Sequence, residues 1–343
     1  MLRKAFITGV TGQDGHYLSD LLVAEGTKVY GLVRRSSRDT DGRGVPENIE
    51  VVDGDVCDPH IQQAIVSIDP DEVYNLAAMS HVGDSFDQPS SALAVNACGA
   101  LNVLEGARQS GARFYQASTS ELFGNAPAPQ SEYTPFQPRS PYACAKAAAF
   151  HLTAMYRDAY GMHASNGILF NHESPLRGSD FVTQKVCMGV ARIMKGEQFV
   201  ITLGNLESRR DWGHAKDFVR GMVAMVRQSH PSDYVLATGK TRTVRELLDV
   251  AFEHVGIADW NPFVTTDKNL RRPLDVQNLL GDASKAHHEL DWYPQITFAE
   301  MIGEMIDAQV GADDVGRGGD RSSVQAAPFR LYDGRGENKA VRA

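Results

Sequence analysis

The stretch FITGVTGQDG, residues 6–15, sets Gly9, Gly12 and Gly15 at intervals of three between a short apolar run and the start of a helical pattern. In that place the first glycine lets the backbone turn tightly, the second lets it approach a bound group, and the third lets the helix pack close to the sheet. The unpaired N–H groups of the helix N-terminus then face an anion. A chain with this turn is constrained to a strand–turn–helix unit. The motif predicts a dinucleotide site made by Gly9, Thr11, Gly12, Gln13, Asp14 and Gly15.

The pattern that follows agrees with such a unit. KAFIT, KVYGLV, IEVVDGD, EVYNLA, RFYQAS and HASNGILF are short apolar runs of the kind found in parallel strands buried on both faces. Between them, residues 14–25, 59–68, 89–109 and 141–160 show helical spacing, with Pro59 and Pro141 read as first-turn prolines. The expected fold is α/β: a Rossmann-type doubly wound parallel sheet with a smaller C-terminal α/β substrate-binding domain. The expected domains are 1–170, to which some later segments return, and 171–310, where QFVIT and YVLAT read as strands and 181–195, 244–254 and 298–310 as helices. Residues 311–343, rich in Gly, Asp and Arg, are expected to be a flexible tail.

Composition narrows the ligand. The 343 residues carry 34 basic and 43 acidic side chains, a net charge of −9, which provides no general field for nucleic acid or an anionic membrane. An anionic ligand must be met by a local basic site. Cys57, Cys98, Cys144 and Cys187 form no CxxC pair and the histidines form no HxxxH, so neither a metal nor a disulfide is expected. No leader or membrane span is visible, and a cytoplasmic location is expected.

Local basic chemistry appears where the second strand ends. LVRRSSR places Arg34, Arg35 and Ser36 where an NAD site would carry an acidic residue for the ribose hydroxyls. Guanidinium groups there suit a 2′-phosphate, so NADP is expected. DGDVCD sets Asp55, beside Val56, where an adenine amino group would be held.

In RSPYACAKAAAF, Tyr142 and Lys146 are four apart on a predicted helix and so share a face, and an ammonium near a phenol favours the phenolate. Such a tyrosine takes a proton from an alcohol while a nicotinamide takes the hydride. Together with Ser118 and Thr119 at the end of the fifth strand, these residues resemble the extended short-chain dehydrogenase/reductase family, the group acting on sugar nucleotides. The resemblance implies that Thr119, Tyr142 and Lys146 sit beside the nicotinamide. It also implies cofactor contacts from Leu76, Ala77, Ala78, Ser80, His172 and Arg177.

STSELFG adds a carboxylate, Glu121, that family members acting only at C4 generally do not have. Once C4 of a sugar is a ketone its C5 proton is acidic, and a base there removes it while hydroxide leaves C6. A serine precedes Glu121, in place of the Asp–Glu pair of dTDP-glucose-type dehydratases. That pattern resembles the GDP-mannose 4,6-dehydratases. YNLAAMSHVGDSF, GILFNHESPLRG, LGNLESRRDWGHAKDFV, ATGKTRTVREL and RRPLDVQNLLGD resemble segments of those enzymes in the same order, from Lys4 to about Val310.

Lys185, Arg210 and Arg272 supply cations for a nucleoside diphosphate, and Asn171 suits a phosphate or sugar oxygen. The resemblance implies that Ser85, Asn171, Asn205, Arg210, Arg272 and Asp275 lie on GDP-mannose, and Trp212 reads as core. Ser91 stands where the family usually has tyrosine, and Asp275 where it usually has glutamate. The segment after Arg34 is shorter than the family's intersubunit loop, so the expected homo-oligomer is a dimer or a tetramer. Open alternatives are a dehydratase of another GDP-hexose or GDP-heptose, a C4 epimerase or reductase, and a sensor that keeps the fold without turnover.

Overall fold

The computed structural model of the protein describes residues 2–34, 44–270, 274 and 276–311, and the segments 331–332 and 338–339. Its strands, in chain order, are β1 (Lys4–Thr8), β2 (Lys28–Val33), β3 (Glu50–Asp53), β4 (Glu72–Asn75), β5 (Arg113–Ala117) and β6 (Ala164–Leu169). They continue as β7 (Asn171–Glu173), β8 (Ile201–Leu203), β9 (Arg209–His214), β10 (Tyr234–Leu236), β11 (Thr241–Thr243) and β12 (Val264–Thr266). The chain divides into two compact units, Met1–Gln309 and Val310–Ala343. In the second, Leu331–Tyr332 and Asn338–Lys339 pair antiparallel. The tail expectation otherwise falls on residues outside those described.

In the first unit seven parallel strands lie in the order β10-β6-β5-β4-β1-β2-β3. The order reverses between β1 and β4, and doubly wound sheets of this Rossmann type bind ligands in the crevice outside the strand ends at that point. β10 comes from the second half of the chain and returns to the first sheet beside β6. The remaining strands form the β11-β9-β7 sheet and the β12-β8 pair.

Side chains in paired rows share a face of a sheet. Phe6, Val73, Phe114 and Ala164 form one such row and are fully buried, in a cluster with Ile65, Leu104 and Tyr156 of the covering helices. Two residues further along, the next row on that face is Thr8, Asn75, Gln116 and Asn166. All four are buried and polar. Amides sunk in a sheet must find partners or lose about 1–3 kcal/mol each.

Helix ends follow local chemistry. Ser140 accepts the Ala143 N–H at 3.1 Å and Pro141 takes the first helical position, so Pro141–Tyr160 begins where it was expected. Pro59 does not enter a helix: His60 is the cap and the helix is Ile61–Ile68, so this proline ends the preceding loop. The single helix expected over 89–109 is instead Pro89–Leu93, a π-helical turn Ala94–Gly99, and Ala100–Ser110. In the π turn Asn96 is buried. Its amide accepts the Met79 N–H at 2.9 Å and donates to the Met79 carbonyl at 3.2 Å.

The glycine turn is tightly enclosed. Gly9 has φ +68°, and a Cβ on it would stand 2.8 Å from the Ala77 nitrogen; one on Gly15 would stand 2.4 Å from the Val10 carbonyl oxygen. Both obstacles are backbone, which cannot rotate aside. Gly15→Ala is therefore expected to lower stability by about 1–3 kcal/mol, the usual range for overpacking. Thermal unfolding measures this, and an unchanged melting temperature would show that the turn relaxes.

Candidate active site

The strand ends open into a cavity of about 870 Å³. It runs from Asp14, Leu76, Ala78 and Ser80 at the switch point, past Thr119, Glu121, Tyr142 and Lys146, to Asn171, Lys185, Asn205 and Arg210. The cavity thus brings together residues far apart in sequence, from the glycine turn to β9.

Thr119 is extended, with φ −153° and ψ 148°, and caps the 3-10 turn Ser120–Phe123 by accepting the Glu121 N–H at 3.2 Å. The cap holds Glu121 in the first turn, on the cavity wall. Tyr142 and Lys146 lie one helical turn apart and are 7% and 3% exposed. Burial pushes the Tyr142 phenol up to about 12; its hydrogen bond with Thr119 pulls the other way, and the Glu121 carboxylate adds to the rise. Burial also brings Lys146 down to about 8. In the protein alone, burial is the largest influence on both groups. The Lys146 ammonium donates to the Ala117 carbonyl at 2.9 Å.

The glycine turn is tied to β7 by its own side chains. Gln13 donates to the His172 carbonyl at 3.0 Å and accepts from the Ser174 hydroxyl at 2.7 Å. Asp14 and His172 form a pair at 2.8 Å, the other ring nitrogen of His172 lies 2.8 Å from the Phe170 carbonyl, and the ring stacks on Phe218. Burial pushes the Asp14 carboxyl up, but the charge and hydrogen bond of His172 outweigh it and hold it below the ordinary 3.8. Burial likewise pushes His172 down, and Asp14 more than reverses this, raising it above 6.5. Arg177 sits 2.9 Å from the Glu173 carboxylate and 3.5 Å over the Phe181 ring.

Arg34 closes β2, and its charge reaches Cys57, just past Asp55. Asp55 accepts the Cys57 N–H at 2.9 Å, Val56 is buried with its carbonyl held by Asn102 at 2.9 Å, and the Ala77 N–H donates to Thr8 at 3.1 Å. Thr11 and Gly12 form the bend, where the Gly12 N–H reaches the Gly9 carbonyl at 3.0 Å. Arg35, Ser36, Arg272 and Asp275 lie outside the described residues.

Ser85 is not in the cavity wall. It is fully buried and donates to the Val82 carbonyl at 2.7 Å, a brace inside a turn. Arg210 does line the cavity, although its guanidinium also donates to the Arg209 and Val276 carbonyls at 2.9 and 2.8 Å. Trp212, expected as core, is buried and stacked on Phe298, yet one side faces the cavity. Sequence reading missed Ser118 as a wall residue. Its hydroxyl and the Asn171 side-chain oxygen are buried without a hydrogen-bond partner in a cavity built for a polar molecule. Gly9, Thr11, Gly12, Gln13, Gly15, Arg34, Asp55, Val56 and Ala77 do not line this cavity, which meets the glycine turn at Asp14; Asp14 at one end and the two open polar atoms further along suit a dinucleotide and a polar substrate.

A family model described as GDP-mannose 4,6 dehydratase matches residues 6–305. The chain belongs to that dehydratase family. It is 47% identical over 320 residues to GDP-mannose 4,6 dehydratase 1 of Arabidopsis thaliana, covering 88% of each chain. It is 41% identical over 338 residues to the Homo sapiens GDP-mannose 4,6 dehydratase, covering 89% of this chain and 91% of that one. Among solved structures it resembles the UDP-glucose 4-epimerase of Thermus thermophilus, a complex with NAD, at TM-score 0.77 and 27% identity, covering 90% and 99% of the two chains. The UDP-glucose 4-epimerase of Thermotoga maritima, at TM-score 0.80 and 23% identity over 91% and 99%, shares the fold. The dehydratase match takes in every cavity residue named above and ends before residue 306.

The buried pair sets a pH window. His172 is raised in the folded protein, so its contribution is complete below 6.5 and is lost as pH rises through its folded value. Asp14 is lowered, so its contribution is present above 3.8 and is lost as pH falls through its folded value. The stability difference between wild type and His172→Gln is expected to be largest between 3.8 and 6.5 and to shrink on either side. Denaturant unfolding across pH measures it; a difference flat with pH would mean that the pair is not ionised.

Proposed function

We propose that this member of the dehydratase family converts GDP-mannose to GDP-4-dehydro-6-deoxy-D-mannose with NADP as its cofactor. The observation that carries the reading is Glu121, placed by the Thr119 cap on the same cavity wall as Tyr142 and close enough to push the phenol up. Family membership at 41–47% identity with curated dehydratases supports the reaction.

Held at the turn of Gly9, Gly12 and Gly15 and by Arg34, a nicotinamide cofactor would supply the hydride acceptor for C4 of the mannose and the donor for C6. Tyr142, hydrogen-bonded to Thr119, takes the O4 proton, and Lys146, one helical turn along and anchored on the Ala117 carbonyl, adds positive charge to the same cavity wall. With C4 a ketone, Glu121 takes the C5 proton as the C6–O bond breaks, and the same carboxyl, now protonated, helps hydroxide leave as water. The C5–C6 double bond then gains hydride at C6 and a solvent-derived proton at C5. Sugar oxidation state is redistributed and the cofactor ends unchanged. Asn171, Lys185, Asn205 and Arg210 are proposed to hold the GDP-sugar, with Arg272 and Asp275 from outside the described residues.

Arg34, with Arg35 and Ser36 beyond the described segment, supports NADP, because a guanidinium pairs bidentately with a phosphate that NAD lacks. The four cysteines are free, which suits a reducing cytoplasm. We further propose a homodimer or homotetramer as the working form.

Glu121→Gln is expected to keep the first half of the reaction, seen as reduction of bound NADP, while product release falls by about a hundred- to ten-thousandfold, the range for loss of a general base. Tyr142→Phe is expected to lose both halves. Turnover by Glu121→Gln near the wild-type rate would remove the carboxylate from the chemistry. Deuterium at C4 of GDP-mannose is expected at C6 of the product, with no external NADPH consumed, as read by mass spectrometry and NMR. Label retained at C4 would indicate an epimerase. Cofactor choice is read separately by titration: binding of NAD as tight as NADP would refute the phosphate contact.

A further inference from the structure

A hydrogen-bonded chain crosses the sheet beneath the cavity floor. The Ala77 N–H donates to the Thr8 hydroxyl at 3.1 Å, and the Thr8 hydroxyl to the Asn75 side-chain oxygen at 2.6 Å. The Asn75 amide donates to the Gln116 oxygen at 2.9 Å, and the Gln116 amide to the Ala117 carbonyl at 2.9 Å. That carbonyl is also the acceptor of the Lys146 ammonium, at 2.9 Å. The chain therefore joins the loop that carries Leu76 and Ala78 on the cavity wall to the lysine on the opposite side.

Three features separate this chain from ordinary core satisfaction. Thr8, Asn75 and Gln116 occupy one cross-strand row, so the strand register alone brings them side by side. Each member uses its hydroxyl hydrogen or one amide N–H in the same direction, toward Ala117, and aligned hydrogen bonds in a low dielectric reinforce one another. The row ends on the Ala117 carbonyl oxygen that accepts from Lys146, with Gln116 only 1% exposed.

We propose that Gln116, held by Asn75, is a positioning residue for Lys146: it fixes the Ala117 carbonyl and shares it with the lysine, so that the ammonium is held at one place under the cavity. Without the Gln116 amide the carbonyl loses a fixed donor and the Asn75 amide loses its acceptor. The Gln116 N–H also turns its positive end toward the oxygen that accepts from Lys146, which opposes charge on the amine. Charged and titratable groups around Lys146 are Asp14 from the first helix, which favours the ammonium, Tyr142 on its own helix, and Glu121, His172 and Arg177 on the shared cavity wall. Gln116 contributes no charge of its own. Its influence is through geometry and the shared acceptor.

The importance of Lys146 for catalysis rests on the proposed function, whereas the linkage between Gln116 and Lys146 does not. The test is NMR of the holoenzyme carrying ¹³C-lysine and ¹⁵N-glutamine labels, with the Lys146 signal assigned by its loss in Lys146→Met. In the wild type the Gln116 side-chain amide resonance is expected to follow the Lys146 titration with the same midpoint. In Gln116→Met, of similar shape but with no donor, that midpoint is expected to move upward. A Gln116 resonance that stays flat while Lys146 titrates would overturn the proposal, as would an unchanged Lys146 midpoint in a folded Gln116→Met. Should Gln116→Met not fold, the wild-type titration decides alone. In the catalysed reaction, folded Gln116→Met is expected to slow reduction of bound NADP by about ten- to a hundredfold with KM near wild type, the scale of a small displacement of a reacting group. Normal linkage in the NMR with no dehydration by the wild type would refute the proposed function and leave this inference standing.

Discussion

The site depends on how closely the backbone after β1 approaches the backbone after β4. Gly9, at φ +68°, lies so near Ala77 that any side chain would overlap main-chain atoms. This contact sits at the reversal in strand order, where the two halves of the sheet part and leave a crevice. Gly15 lets the first helix settle against Val10, which carries Gln13 and Asp14 within reach of β7. A bulkier turn would lift that helix and unseat the His172 pair, one wall of the cavity.

Charge in the cavity follows from water exclusion more than from any single partner. Burial raises the Tyr142 phenol and lowers Lys146, so both favour their neutral forms more than they would in water. Asp14 and His172 escape the same fate only because each has the other. A cavity poised in this way responds strongly to a charged occupant, since a low-dielectric wall screens little. The ligand and the protein side chains then form one electrostatic system.

Much of this was readable from local sequence. Three glycines at intervals of three between a strand and a helix mark the turn, and four-residue spacing puts Tyr142 and Lys146 on one helical face. What escaped reading depends on register between distant strands: Asn75 and Gln116 are 41 residues apart, and nothing in either stretch says that the two are opposite. Ser85 misled because its hydroxyl turns inward to Val82, a choice made by loop geometry. The π turn at Ala94–Gly99 inserts a residue into what periodicity presents as one helix, and Asn96 gains its inward clasp on Met79 there. A helical face gives the neighbour of a group and not its depth, so the burial of Tyr142 and Lys146 was not legible in their spacing.

The return of β10 to the first sheet has a consequence for motion. Tyr234–Leu236 forms the outer edge of the sheet beside β6, and Asp233 just before it is clasped in two hydrogen bonds of 2.8 Å by Arg157 from the long helix. The chain thus leaves the nucleotide half after β6 and is stitched back into it some sixty-five residues later. The segment between β6 and β10 is thereby anchored at both ends on one edge of the sheet, so it hangs from two tethers and not one.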